Sequence, residues 1–227
     1  MRLKVVSVIT VIACVYMIVS ATSQLFVQFP KYIILSDLSL LQIKYIPMAL
    51  AIRNLFLSIF VLVRMFVKKP VLVKIAVAIL GISAVPLFFA TIAYLIQIQS
   101  AFTVISPFQL VNVVLYVFVL LFYGVLVLLI CINTFKNLIS QKSALIVTLV
   151  VICLGLLSTV FRNTAVPTEL FKDRSHLINF FSHVITTPLW FLIYYTALKP
   201  NKNVLQSKVI KRHQQLEEQS VFEGEKQ

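Results

Sequence analysis

Charge is scarce in this 227-residue chain, and so are the features that mark the common soluble chemistries. Charged residues make up 12% of it against 60% hydrophobic residues, and a mean hydropathy of +1.01 excludes an ordinary soluble globular domain. The three cysteines, Cys14, Cys131 and Cys153, each sit inside a long apolar run with no C-x-x-C spacing. That pattern points to neither a disulfide framework nor a cysteine metal site, because buried cysteine usually behaves as a small hydrophobe. Of the four glycines, Gly81, Gly124 and Gly155 occur singly in apolar runs, with no G-x-x-x-G packing pair. Their scarcity weighs against transporters whose broken helices unwind at glycine. There is no H-E-x-x-H, Walker loop, G-x-G-x-x-G or G-x-S-x-G, and no convincing repeat relates the first half to the second. No cofactor or metal is expected.

What the chain has in abundance is long apolar runs. A helix needs about 20 mainly apolar residues to cross a hydrocarbon core about 30 Å thick. Six runs qualify, at about 5–24, 46–66, 71–98, 109–132, 143–161 and 177–198. Inside lipid such runs must be helices or closed barrels, since unpaired backbone amides there cost several kcal/mol, and their length and lack of strict alternation exclude a barrel. The expected fold is all-α: a polytopic integral membrane protein with a bundle of six transmembrane helices over residues 1–198 and a tail over 199–227. Pro86 lies within the third run, where removal of a helix hydrogen bond gives a physical cause for a kink.

Orientation follows from lysine and arginine, which short cytoplasmic loops retain preferentially. With the N-terminus inside, fourteen of the twenty fall on the cytoplasmic side and five outside, leaving Arg53 within a run. This imbalance predicts N-in, C-in, with the tail cytoplasmic. The net charge of +13 is spread over short juxtamembrane positions rather than one basic face, so anionic lipid at the cytoplasmic surface is the expected partner and nucleic acid is not. The tail begins basic and ends acidic, and Leu205, Val209 and Leu216 share one side of a short helix if it forms one. It is read as a topology-setting segment, with docking of a cytosolic protein as the sharper alternative. At the other end, MRLK before an apolar run resembles a signal peptide, and VIAC at 11–14 loosely fits a lipoprotein pattern at Cys14. The run continues past Cys14 without the usual polar stretch, which favours an uncleaved first helix.

The sixth run carries the chain's most polar helical face. In HLINFFSHVITTPLW, at about 100° per residue, Asn179, Ser182, His183, Thr186 and Trp190 fall on one side, flanked by His176, Thr187 and Tyr194. A polar stripe facing lipid is costly, so it should face the bundle or a hydrated cavity. Thr186 and Thr187 also precede Pro188, where hydroxyls can satisfy a freed carbonyl. Arg53 is the other costly group. Counting from Ile46, it lies roughly 10 Å below the outer surface at 1.5 Å per residue, level with His183 and deeper than Asn112. Asn54, Ser58, Ser158 and Thr159 add polar groups to the same outer half.

These residues outline an outward-facing polar pocket built from Arg53, Asn54, Asn112, Asn179, Ser182 and His183. The segment from Arg162 to His176 would cover it, with Glu169 and Asp173 as carboxylate partners for Arg53. His213 falls on the opposite side of the membrane from His176 and His183, so the histidines do not suggest a metal site. The leading functional reading is a non-enzymatic permease-like or accessory subunit of the cell membrane, working with a cytosolic or membrane protein partner. Two alternatives stand beside it: a sensor or protective protein binding an external peptide or lipid, and an intramembrane enzyme using His183 or His176 with Glu169 or Asp173 as acid and base.

Overall fold

A computed structural model describes residues 2–33, 38–67, 69–99, 107–164 and 174–200. Six helices and no strand occur among the described residues: α1 (Arg2–Ile33), α2 (Leu38–Phe66), α3 (Pro70–Gln99), α4 (Pro107–Lys136), α5 (Gln141–Thr164) and α6 (Arg174–Leu198). Five contain segments long and apolar enough to cross a membrane, namely Val5–Phe26, Ile46–Phe66, Pro70–Ile96, Val113–Lys136 and Gln141–Val160. In α6 the apolar segment among the described residues is the shorter Val184–Leu198. The chain is therefore a helical membrane protein. Its helices outrun the apolar runs read from sequence, most of all α1, which continues nine residues past Gln24, and α2, which begins eight residues before Ile46.

The connections are made by local hydrogen bonding. After α2, the Val67 amide donates to the Val63 carbonyl, prolonging the helical pattern by one bond. α4 stops at Asn137, whose φ of 51° is a left-handed conformation that asparagine tolerates better than most residues. Three residues later stands Ser140, whose hydroxyl accepts the Ser143 amide at 3.1 Å as the N-cap of α5. Such short turns force α2 against α3 and α4 against α5 as antiparallel neighbours.

Two layers of contact run through the bundle. The larger buried cluster draws on all six helices, including Cys14 and Met17 of α1, Leu57, Phe60 and Val61 of α2, Leu80 of α3, Leu126 and Ile130 of α4, Val151 of α5, and Ile193 and Tyr194 of α6. A second cluster lies nearer the starts of α2 and α4 and joins only α2, α3 and α4 among the described residues: Ile46, Ala49, Leu87, Ala90 and Leu120. Outside these clusters the exposed surface is apolar, with Val19, Ile82, Phe89 and Ile146 all open. Polar groups are instead drawn inward, the reverse of a soluble protein and the arrangement that a lipid solvent favours.

Where α6 ends, side chains of other helices take up its last carbonyls, which have no partner within the helix itself. Arg64 of α2 donates to the carbonyls of Ala197 and Lys199, and Asn133 of α4 donates to that of Leu198 at 2.6 Å. Asn133 also accepts the Ile139 amide at 2.8 Å, tying the α4–α5 turn into the same knot. Gln141 at the start of α5 donates to the Tyr195 hydroxyl at 3.0 Å. The ends of α2, α4 and α6 are thereby clamped together.

Candidate functional site

Arg53 is the one charged residue among those buried in the described bundle, and it is only 3% exposed. It sits 15 residues along α2, while Tyr123 sits 16 along α4 and Trp190 16 along α6. At 1.5 Å per residue each is about 22–24 Å from the start of its helix. Because α2, α4 and α6 run in the same sense, these residues arrive at one level. Arg53 Cζ stands 4.1 Å from the centroid of the Tyr123 ring, 5.8 Å from Trp190 and 6.0 Å from Tyr194. Trp190 and Tyr194, one helical turn apart, stack at 5.4 Å with 21° between their planes.

The guanidinium is thus held in an aromatic cage. Its Nη2 donates to the Tyr194 hydroxyl at 3.1 Å and to Asn54 Oδ1, and its Nε donates to the same Asn54 oxygen at 3.0 Å. Insertion scales put an arginine near a helix centre at about 2.5 to 3.5 kcal/mol. A desolvated cation–π contact returns about 2 kcal/mol or more, and hydrogen bonds from a charged donor about 1.5 to 3 kcal/mol each. The cage can therefore carry the charge at depth. It does not complete it, because Nη1 has no hydrogen-bond partner and no solvent contact.

No carboxylate stands near enough within the bundle to answer that charge, since no Asp or Glu occurs in any of the six helix ranges. Glu169 and Asp173, the partners read from sequence, lie outside the described residues, as do the side chains of Asn112, Arg162, His176, Asn179 and His183. Of the proposed pocket residues the structure brings Arg53 and Asn54 together. Ser182 is exposed, and its carbonyl accepts the Thr186 hydroxyl at 2.9 Å. Ser158 is buried, and the Thr159 hydroxyl bonds back to the Gly155 carbonyl at 2.9 Å.

Ser58 stands apart from its kind. The hydroxyls of Thr10, Ser83, Thr91, Thr134 and Thr148 all donate to a carbonyl of their own preceding turn, the usual way to satisfy a hydroxyl in a helix. Ser58, fully buried, has no such bond. Five residues from Arg53, it points about 140° around the helix, so it is not part of the cage.

Sequence reading found the charge and missed its walls. Trp190 and Tyr194 lay on or beside the polar stripe of α6, a usable signal, but Tyr123 sits in an apolar run with nothing to single it out. The structure sets Trp190 and Tyr194 of α6 against Arg53, seven and eleven residues beyond His183.

The described residues contain no group of three or more His, Cys, Asp or Glu side chains that could hold a metal ion. The chain matches no protein-family model, and comparison with curated proteins and with solved structures found no match.

Proposed function

We propose that the protein is a six-span, N-in and C-in component of the cell membrane, a non-enzymatic permease-like or accessory subunit whose polar pocket opens outward above Arg53. The observation that carries this reading is a buried cation incompletely answered, Arg53, which is 3% exposed and whose Nη1 has no hydrogen-bond partner. The end where α6 terminates is clamped by Arg64, Asn133 and Gln141. A bundle clamped at its inner end, with a fixed cation beyond the clamp, suits a protein that receives something from outside.

The basic tail after Lys199 leaves the clamped end and is the proposed contact for a soluble partner, with anionic lipid neutralising its charge. The test is mass spectrometry of what co-purifies with a tagged full-length chain in mild detergent. A stoichiometric cytosolic ATPase that is lost when residues 200–227 are deleted is the expected result. Recovery of the chain alone would overturn the subunit reading. It would instead favour the sensor reading, which the caged arginine also supports and which predicts ligand-dependent protection of residues 162–176 from proteolysis without transport.

A further inference from the structure

We infer that Arg53 is the anchor for a monocarboxylate with an apolar body. This assignment rests on the outward-pocket reading and adds to it the class of ligand. Nη1 is a charged donor without a partner, in a residue buried to more than nine-tenths. The other two guanidinium nitrogens are committed to Asn54 and Tyr194, so the edge left over is one nitrogen wide. A buried charged donor left unpaired is among the costlier states a protein can hold, and the helix ranges contain no acid to relieve it.

The surroundings narrow the anion. Arg64, the nearest arginine along α2, spends its donors on the carbonyls of Ala197 and Lys199, so the cage offers a single positive charge. A dianion such as inorganic phosphate would leave one charge unanswered and would lose most of its hydration to reach this depth. The walls are Tyr123, Trp190 and Tyr194, and aromatic faces pack an apolar body better than a hydrated ion. Tyr123 and Trp190 are only partly buried, which makes them the walls that must shift to admit a ligand to Nη1. A carboxylate on a hydrocarbon or ring meets both demands. It could come from the bilayer, as a fatty acid entering between helices, or from water outside, as a small ring carboxylate.

The chain supplies its own reporter, since Trp190 is its single tryptophan. The full-length protein in phosphatidylcholine nanodiscs and chloride-free buffer would be titrated with oleate and, separately, with cyclohexanecarboxylate, following tryptophan fluorescence. The expected result is a saturable change with at least one acid and none with its neutral counterpart, oleyl alcohol or cyclohexylmethanol. Which acid responds identifies the bilayer or the aqueous source. Arg53→Gln should weaken the response roughly tenfold or more, with Arg53→Lys in between. No saturable change, an equal response to acid and alcohol, or a response to chloride alone overturns the assignment; these contrasts use the unaltered protein, so they stand if Arg53→Gln fails to fold. Acrylamide quenching of Trp190 tests the pocket separately. Quenching without a carboxylate response overturns the ligand and spares the pocket, and absence of both overturns both.

Discussion

Arg53 was legible as a residue because a charge in an apolar run has few cheap explanations, yet the groups that satisfy it were not. Apart from Asn54 beside it, its partners lie 70 to 141 positions away in the chain, and no local pattern distinguishes Tyr123 from the aromatics that merely face lipid. The same limit applies to Gly124, which looked only like one of a few scattered glycines. A Cβ there would lie 2.6 Å from the tip of the Phe88 ring, so the glycine lets α3 drive a phenyl ring against the α4 backbone. Gly124→Ala should therefore destabilise the bundle by about 1 to 3 kcal/mol through overpacking. Combining it with Phe88→Leu, which shortens the intruding side chain, should recover part of the loss. Reversible unfolding in mixed micelles, analysed as a double-mutant cycle, checks this: additive losses would mean that Phe88 and Gly124 do not meet.

At the scale of elements, helix ends matter more than helix centres. Hydropathy locates the apolar middle of each helix but is blind to how far the backbone pattern continues into polar residues, which is why α1 and α2 are longer than their runs. The end of α6 shows the same dependence, since its last carbonyls are capped by Arg64 and Asn133 from two other helices. Arg64→Gln and Asn133→Ala should each cost about 1 to 3 kcal/mol by leaving acceptors unpaired. Together they should cost less than the sum, because both act on the same three residues. Hydrogen exchange read at the Lys199 amide, which donates to Tyr195 at 2.9 Å, should speed up in either variant. Unchanged exchange there would show that the clamp is not what holds the helix end. Arg64→Lys should not restore protection fully, since an ammonium lacks the planar fork that spans two carbonyls.

For the whole molecule, the charge imbalance makes a claim about the membrane that the packing does not address. With the N-terminus and tail inside, green fluorescent protein fused after Gln227 should fluoresce and alkaline phosphatase fused there should be inactive. The reverse pattern is expected for fusions placed between Gln99 and Pro107. Activity of the phosphatase at the C-terminus would invert the topology and turn the clamped end outward, and the pocket reading would fall with it.

Composition and run length determined by themselves that this chain is an all-helical membrane protein, because lipid leaves the backbone almost no other way to bond its amides. Sequence also singled out Arg53, since the expense of a buried charge is a property of the residue. Only the tertiary structure decided what surrounds that charge. Cage and clamp are each assembled from helices far apart in the chain, and which faces meet depends on where every helix begins and how it is rotated. A pattern repeating every 3.6 residues within one helix does not contain that information; it exists only in the contact between helices.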